Sequence, residues 1–431
     1  MTRTNRIHIR PVDTLRGQVA VPGDKSVSHR ALLFSALAEG SSRIRNLAPG
    51  ADVQSTASVL QALGVSILQE DGAVVVQGTG RTGFISSRGP LDCGNSGTTM
   101  RLMMGMLAGT GFESVLIGDE SLSSRPMARI ADPLRQMGLE VELTPEGTAP
   151  IRLRGMRPCA IDWTSRVASA QVKSAILLAG LAAPGCTSVT EPTRSRDHTE
   201  RLLRQMGVPL EVTGNKVALQ GPARLSAIPE LLVPGDLSSA AFWIVAGLLR
   251  GEDLRVLNVG LNPTRTGVLD ALEAMGATLE IKRHAASVEP MGDIVVRRQP
   301  VFGATLAGDL VVRAIDEIPI LAVLATQAQG RTTIRDASEL RVKECDRITA
   351  TVSMLQAMGA HISELEDGMI IDGPTPLQGA SVYPMHDHRI AMSGAIAAMC
   401  VDDGTSTTIH DADVARVSYP NFYADLDRLS A

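Results

Sequence analysis

One hydrophobic pattern recurs along the chain and predicts a helix that ends just before a strand. Each copy has apolar residues at helical spacing, then a glycine, then apolar and polar residues in alternation. A glycine directly after a helix adopts the left-handed backbone conformation at little cost, and the alternation predicts a strand. The five copies are LQALGVSIL (60–68), LRQMGLEVEL (134–143), LRQMGVPLEV (203–212), LEAMGATLEI (272–281) and LQAMGAHISE (355–364).

A second recurring pattern predicts helices that are apolar on nearly every face. Each copy begins with polar residues, continues with an apolar body and ends at a glycine. Helices of this kind belong in the middle of a domain, where other elements surround them. The copies lie at residues 21–40, 95–109, 169–185, 236–251, 315–330 and 387–404.

Together the two patterns predict six repeats of about seventy residues, each with the order βαβαββ. A chain of 431 residues is too long for one core. We therefore predict an α/β fold of two domains, each with three repeats packed around buried helices. The sixth repeat lacks its last strand pair, whereas RIHIRP and GQVAVPG near the N-terminus have strand character. The predicted domains are residues 24–232 and residues 1–23 plus 233–431, the second completed by the N-terminal strands.

Composition excludes several classes of protein. The net charge is −5 and only 3% of residues are aromatic, which disfavours nucleic-acid binding. The five cysteines form no C-x-x-C pair, a pattern typical of reduced thiols. The N-terminus has no apolar signal region, and no apolar helical run reaches the eighteen residues of a membrane span. We expect a cytoplasmic protein that binds neither nucleic acid nor membrane.

Basic and hydroxyl side chains collect at the predicted helix starts. The stretch VPGDKSVSHR carries such groups but lacks the glycine spacing of a P-loop. Helix N-termini favour anions, so helix starts from both domains facing one cleft would attract a ligand with several negative groups, such as phosphate and carboxylate. The alternative is an N-cap serine with solvated basic neighbours. The other helix-start groups include Thr98, Lys173, Arg194, Arg265 and Arg341.

Seven ordered motifs identify a family. PGDKSVSHR, GNSGTTMR, SRPM, SAQVKSA, DEIP, LRVKECDR and DHRIAM closely resemble the 5-enolpyruvylshikimate-3-phosphate synthases (3-phosphoshikimate 1-carboxyvinyltransferases), in particular the divergent bacterial branch called class II. The resemblance implies an inside-out α/β barrel of βαβαββ repeats in each domain. It also implies transfer of the enolpyruvyl group of phosphoenolpyruvate to the 5-hydroxyl of shikimate 3-phosphate, releasing phosphate, on the route to chorismate and aromatic amino acids. It implies no cofactor and no metal, a monomer, and inhibition by glyphosate in the phosphoenolpyruvate pocket.

The resemblance assigns roles to individual residues. Asp316 resembles the proton acceptor from the 5-hydroxyl, Glu344 resembles the proton donor, and Lys25 contacts both substrates. The residues that resemble the shikimate 3-phosphate site are Lys25, Ser26, Arg30, Ser169, Ala170, Gln171, Arg196, Asp316 and Lys343. Those that resemble the phosphoenolpyruvate site are Lys25, Gly97, Arg125, Gln171, Arg347 and Arg389.

Simpler interpretations of these residues stay open. Asp316 is also placed to cap the helix that follows it, and Glu344 to pair with Arg347 three residues later. The sequence His386-Asp387-His388 offers two metal ligands, although such residues are also common helix caps.

The chain departs from the better-known branch at three positions. Leu102 stands where that branch has proline, Glu339 where it has asparagine, and Val417 where it has lysine.

Two other functions remain as alternatives. A UDP-N-acetylglucosamine enolpyruvyl transferase has an asparagine after the motif lysine and a reactive cysteine on a loop. Here Ser26 follows Lys25, and GDESLSSRPMA has no cysteine. The other alternative is a non-catalytic anion-binding protein, which would not need Asp316 and Glu344 beside Lys25.

Overall fold

The computed structural model describes residues 5–285 and 288–430. The α-helices of these residues are α1 (Lys25–Leu37), α2 (Ala51–Ala62), α3 (Gly97–Met106), α4 (Glu120–Ser123), α5 (Ala128–Gln136), α6 (Ala170–Gly180), α7 (His198–Gln205), α8 (Leu237–Arg250), α9 (Gly267–Ala274), α10 (Asp309–Ala314), α11 (Ile318–Thr326), α12 (Arg347–Ala357), α13 (His388–Ala398) and α14 (Phe422–Leu429). Short 3-10 helices lie at Arg81–Gly83, Ile315–Glu317, Ser338–Val342 and Ala412–Val417.

The strands of the same residues are short. They are β1 (Ile7–Ile9), β2 (Leu15–Ala20), β3 (Ala38–Arg45), β4 (Ser66–Glu70), β5 (Ala73–Thr79), β6 (Leu91–Asp92), β7 (Glu113–Ile117), β8 (Glu140–Glu142), β9 (Ile151–Arg154), β10 (Asp162–Thr164), β11 (Gly185–Thr190), β12 (Leu210–Thr213), β13 (Lys216–Gly221), β14 (Leu225–Ser226), β15 (Glu230–Leu232), β16 (Gly251–Gly260), β17 (Glu280–Arg283), β18 (Met291–Val296), β19 (Thr305–Leu306), β20 (Gly330–Ile334), β21 (His361–Leu365), β22 (Gly368–Gly373), β23 (Ser381–Val382) and β24 (Thr407–Ile409).

The chain forms two compact units, each with its own hydrophobic core. Among the described residues, unit 1 comprises 5–22, 234–285 and 290–430, and unit 2 comprises 23–233 and 288–289. The sequence-based boundaries placed residues 288 and 289 with the other half of the chain. They group with unit 2 because the Glu289 carboxylate contacts His198 Nδ1 at 2.8 Å and lies 3.9 Å from Arg201 Nε.

The sheets confirm the βαβαββ repeat. In the β6–β9 repeat, β6 is parallel to β7, and β9 is antiparallel to both β7 and β8, which gives the spatial order β6-β7-β9-β8. The sheets β10-β11-β13-β12 and β19-β20-β22-β21 have the same order. The predicted fold class, α/β repeats around buried helices, is therefore confirmed.

Strands from outside a repeat complete the first, fourth and sixth repeats, and the sequence predicted only the last of these pairings. Strand β1 pairs antiparallel with β24 and joins the sixth repeat as predicted, with Ile7 opposite Ile409. Strand β2 instead pairs parallel with β16, with Val19 opposite Val256, and supplies the first strand of the fourth repeat. The expectation that both segments complete the sixth repeat is wrong, because alternation identifies a strand but not its partner. In unit 2, β14 and β15 pair parallel with β3 and supply the first strand of the first repeat.

The helices predicted to be apolar all round are the buried ones. All nine residues of α11 are buried, as are eleven of the thirteen in α1. Their counterparts α3, α6, α8 and α13 are buried over nearly their whole length. The first turns of α1, α3, α6 and α13 hold the candidate site residues Lys25, Ser26, Gly97, Ala170 and Arg389.

The recurring glycines have the predicted backbone conformation. Each directly follows the C-cap residue of a helix and has a positive φ, between +82° and +90°, which favours glycine because it has no Cβ. A strand follows each of them. These residues are Gly64, Gly138, Gly207, Gly276 and Gly359.

The longest helix in the part of the chain that the structure describes is α8, with 14 residues. None of the described helices is long and apolar enough to cross a membrane.

Candidate active site

The start of α1 brings together three of the predicted residues of unit 2. Asp24 caps the helix by accepting a hydrogen bond from Val27 N at 2.8 Å. Lys25 forms a close ion pair with Asp52 at the start of α2. Ser26 Oγ accepts a weak hydrogen bond from Arg196 Nη1 at 3.5 Å. A lysine, a hydroxyl and an arginine therefore converge at this helix start.

Arg30 lies one turn further along α1 and is buried against neutral oxygens. Its Nε donates to Thr199 Oγ1 at 2.8 Å, and its Nη2 donates to Ser174 Oγ at 2.8 Å. The third bond runs from Nη1 to the carbonyl of Ser26 at 3.0 Å. Burial lowers the pKa of Arg30 to about 10, against the opposing effect of Glu200, so the side chain is still charged at neutral pH. A buried cation held by neutral groups favours an anionic ligand nearby.

The start of α3 brings Gly97 beside two guanidinium groups. Ser96 caps this helix through its hydrogen bond from Thr99 N. A Cβ on Gly97 would lie 2.9 Å from Arg101 Nη1 and 3.6 Å from Arg125 Nη1. A helix N-terminus beside two cations is the kind of arrangement that favours an anion.

Gln171 is tied to the same place from α6. Its Oε1 accepts a hydrogen bond from Arg101 Nη1 at 2.8 Å, and its Nε2 donates to Thr98 Oγ1 at 3.0 Å. The sequence-based site omitted Arg101, although its position four residues after Gly97 places both on one helix face. That spacing was the signal available for finding it.

Ser169 and Ala170 lie at the first turn of α6. Ser169 is the N-cap residue, and its own N–H donates to Glu191 Oε1 at 2.9 Å. Lys173, grouped by sequence with the helix-start cations, is instead buried in ion pairs with Glu191 and Glu200, both at 2.9 Å.

In unit 1 the centre of the predicted site is Arg347, the first residue of α12. Its side chain is 1% exposed. Its Nε donates to Asp387 Oδ2 at 2.7 Å, Nη1 to Asp316 Oδ1 at 3.2 Å, and Nη2 to Glu344 Oε2 at 2.6 Å. Burial lowers the pKa of Arg347, but the charges of Glu344, Asp387 and Asp316 outweigh burial and raise it overall. One guanidinium thus fixes three carboxylates.

Asp316 lies within reach of several further cations. Lys343 Nζ is 3.6 Å from Oδ1, Arg265 Nη1 is 3.8 Å from Oδ2, and Arg389 Nη1 donates to the Asp316 carbonyl at 3.1 Å. The structure therefore brings together the predicted residues Asp316, Lys343, Glu344, Arg347 and Arg389. Arg265 is buried and lies among these residues, although the sequence-based site did not include it.

The simpler interpretations have different outcomes. The N-cap of α11 is Glu317, without a side-chain hydrogen bond, and Asp316 belongs to the preceding 3-10 helix, so the capping interpretation of Asp316 is wrong. The Glu344–Arg347 pair is present.

Asp387 caps α13 through the N–H of Arg389 at 2.8 Å, as expected of a helix start. Burial raises the pKa of Asp387, but Arg347 and His388 lower it overall. Among the described residues, no group of three His, Cys, Asp or Glu side chains is arranged to hold a metal ion.

The three departures from the better-known branch have distinct positions. Leu102 is fully buried in the core of unit 2, and α3 begins five residues before it. Glu339 is exposed in a 3-10 helix. Arg416, which precedes Val417, is largely exposed, 3.8 Å from Asp413.

Comparisons with known proteins match nearly the whole chain to one family. Residues 9–426 match the family model described as EPSP synthase (3-phosphoshikimate 1-carboxyvinyltransferase). A 3-phosphoshikimate 1-carboxyvinyltransferase of Gloeobacter violaceus is 53% identical over 426 residues, covering 98% of each chain. The solved EPSP synthase of Acinetobacter baumannii is 41% identical, with a TM-score of 0.89 and 98% of each chain covered. The enolpyruvyl transferase NikO of Streptomyces tendae shares the fold, with a TM-score of 0.79 at 22% identity over 99% of this chain and 98% of that one. The chain described here belongs to the EPSP synthase family.

Proposed function

We propose that this member of the EPSP synthase family transfers the enolpyruvyl group of phosphoenolpyruvate to the 5-hydroxyl of shikimate 3-phosphate. The candidate site residues of unit 1 and unit 2 have the roles given below. The observation that carries this assignment is the pair Asp316 and Glu344 on one buried arginine. Enolpyruvyl transfer needs one group that accepts a proton and one that donates a proton, and these are the two carboxylates in question.

Asp316 accepts the proton of the 5-hydroxyl while the oxygen of that hydroxyl attacks C2 of phosphoenolpyruvate. Glu344 delivers a proton to C3, which becomes a methyl group, and a tetrahedral intermediate results. In the second half of the reaction Glu344 takes a proton back from C3, the bond from C2 to the phosphate oxygen breaks, and Asp316 gives its proton to the departing phosphate. Both carboxyl groups thereby return to their starting protonation states.

The cations supply electrostatic stabilisation. Phosphate and carboxylate groups are recognised by arginine forks and helix N-termini. In unit 2, Arg30 with Ser26, Ser169, Ala170 and Arg196 is assigned to shikimate 3-phosphate; its buried guanidinium with neutral partners supports this.

Gly97, Arg125 and Gln171 are assigned to phosphoenolpyruvate, with Gln171 also serving shikimate 3-phosphate and Lys25 contacting both. In unit 1, Lys343 is assigned to shikimate 3-phosphate. Arg347 and Arg389 are assigned to phosphoenolpyruvate.

One assay distinguishes this function from its alternatives. Phosphate release from phosphoenolpyruvate is followed with shikimate 3-phosphate, with UDP-N-acetylglucosamine, or with neither. We expect release only with shikimate 3-phosphate. Release with the nucleotide sugar alone would identify the other transferase, and no release under any condition would identify a non-catalytic anion-binding protein.

We assign the protein to the cytoplasm as a monomer. All five cysteines are free thiols in the structure, two of them buried, which suits a reducing compartment. Light scattering coupled to size-exclusion chromatography tests the oligomeric state, and we expect the mass of one chain.

A further inference from the structure

Lys173, Glu191 and Glu200 form a buried charged cluster inside unit 2. Their side chains are 1%, 2% and 0% exposed. Lys173 Nζ lies 2.9 Å from Glu191 Oε2 and 2.9 Å from Glu200 Oε1. The proposed reaction uses none of these groups directly.

The Glu191 carboxylate holds two backbone segments at once. Its Oε1 accepts the N–H of Ser169, the N-cap of α6, at 2.9 Å. Its Oε2 accepts the N–H of Ser195 at 3.3 Å, and Lys173 Nζ donates to the Ser195 carbonyl at 3.3 Å. The segment between β11 and α7, which carries Arg196, is therefore fixed against the start of α6.

The same cluster reaches Arg30 through adjacent residues. Thr199 precedes Glu200 on α7, and Ser174 follows Lys173 on α6. The Arg30 guanidinium donates to the hydroxyls of both Thr199 and Ser174, which also bond to each other at 2.7 Å.

We propose that Lys173, Glu191 and Glu200 are positioning residues that hold the shikimate 3-phosphate ligands Ser169, Arg196 and Arg30 in place. This inference rests on the proposed function, because it takes those three residues to bind that substrate. Burying ions is costly, and apolar residues of similar volume often stabilise a fold better. What a buried ion cluster supplies instead is fixed direction, here for two backbone segments and one guanidinium.

The test variant is Glu191→Gln. It keeps the size of the side chain and leaves Lys173 paired with Glu200, so that the buried charges still include a compensated pair. The amide has only one oxygen, so either Ser169 N–H or Ser195 N–H loses its acceptor. The matched control is Lys216→Met, which removes an exposed lysine paired with Asp162 in the same unit.

Binding of shikimate 3-phosphate to the full chain is measured by titration calorimetry, with kcat, the KM for phosphoenolpyruvate and the urea midpoint in parallel. We expect Glu191→Gln to raise the Kd for shikimate 3-phosphate at least tenfold, with kcat at saturating substrates changed less than about threefold. Lys216→Met is expected to match the parent. If Glu191→Gln does not fold, Glu191→Asp, which keeps the charge but shortens the reach, is expected to raise the Kd at least threefold.

The experiment distinguishes failure of the positioning role from failure of the proposed function. If Glu191→Gln or Glu191→Asp folds and binds shikimate 3-phosphate like the parent, the positioning role is overturned while the proposed function stands. If the parent itself neither binds shikimate 3-phosphate nor releases phosphate with it, the proposed function fails, and the inference falls with it.

Discussion

Asp316 and Glu344 are bonded to two nitrogens of one guanidinium, that of Arg347. The Nη1–Oδ1 distance is 3.2 Å and the Nη2–Oε2 distance is 2.6 Å. Because Arg347 is buried and also bonded to Asp387, the two carboxylates keep a fixed relation to each other. Two groups that exchange protons with different atoms in one reaction need such a fixed relation.

The first prediction concerns these two carboxylates. Asp316→Asn and Glu344→Gln each keep the side-chain size and remove the proton-transfer group. We expect kcat to fall by ~10²–10⁴ in each variant, the usual contribution of a general acid or base. The control is Asp372→Asn, which breaks only an exposed pair with Arg331. A kcat within a few-fold of the parent in either site variant would remove that residue from the proposed role.

The second prediction concerns Gly97. A Cβ there would meet Arg101 Nη1 at 2.9 Å, and because that nitrogen also bonds Gln171, the displacement passes to Gln171. An added methyl in a packed site costs ~1–3 kcal/mol, and a longer ligand such as glyphosate has less room to adjust than phosphoenolpyruvate. For Gly97→Ala we expect the ratio of the glyphosate Ki to the phosphoenolpyruvate KM to rise about tenfold, equivalent to ~1.4 kcal/mol.

Gly89→Ala is the matched control for this ratio. Nothing lies within 4 Å of a Cβ at that position. An unchanged ratio in Gly97→Ala would show that Gly97 does not line the pocket.

The third prediction is a pH dependence of stability that comes from His29. This fully buried ring bonds to Thr56 Oγ1 at 2.7 Å, and burial, with repulsion from Lys25, lowers its pKa to about 3. The unfolded chain takes up this proton near pH 6.5 and the folded chain does not. Stability from this group is therefore complete above pH 6.5 and is lost as the pH falls toward 3.

Between pH 7 and pH 5 the parent is expected to lose about 2 kcal/mol more than His29→Gln in urea unfolding, at about 1.4 kcal/mol per pH unit. His361→Gln, which replaces an exposed histidine, is expected to behave as the parent. Equal losses in the parent and His29→Gln would contradict the assignment.

The fourth prediction separates two roles of Asp387. Its carboxylate bonds Arg347 Nε at 2.7 Å and caps α13. Asp387→Asn keeps a capping oxygen but loses the charge, and we expect the free energy of unfolding to fall by ~1–3 kcal/mol. Asp387→Ala also loses the cap and is expected to cost about 1 kcal/mol more.

Urea unfolding measures both Asp387 variants against Asp413→Asn, a change at an exposed carboxylate of the 3-10 helix Ala412–Val417. If the Asn and Ala variants have the same stability, the cap contributes nothing.

Much of the fold was predictable because its signals are local. The left-handed glycines such as Gly64 and Gly359 depend only on where a helix ends, and the burial of α11 follows from its apolar composition. The partner of β2 was not predictable, because GQVAVPG has the same alternation whichever strand it pairs with. Pairing is decided by packing across the sheet, which one sequence does not display.

The candidate site shows the same limit. Sequence motifs assigned Gly97 and Gln171 separately, and the four-residue spacing from Gly97 pointed to Arg101, but the hydrogen bond from Arg101 to Gln171 is visible only in the fold. By sequence Lys173 resembled the other helix-start cations. In the structure it forms ion pairs with Glu191 and Glu200, which lie further along the chain. Whether a charged side chain faces a ligand or a buried partner depends on tertiary contacts.

The central claim is proton exchange at C3 of phosphoenolpyruvate by Glu344, and deuterium incorporation tests it most directly. The enzyme is incubated in D₂O with phosphoenolpyruvate and shikimate 3-phosphate, and the C3 methylene is analysed by NMR and mass spectrometry. Protonation turns C3 into a methyl group that carries one deuterium, so removal of a hydrogen in the second step leaves deuterium in the product. The account predicts incorporation with the parent and a loss of at least ~10²-fold in its rate with Glu344→Gln. Incorporation by Glu344→Gln at the rate of the parent would contradict it.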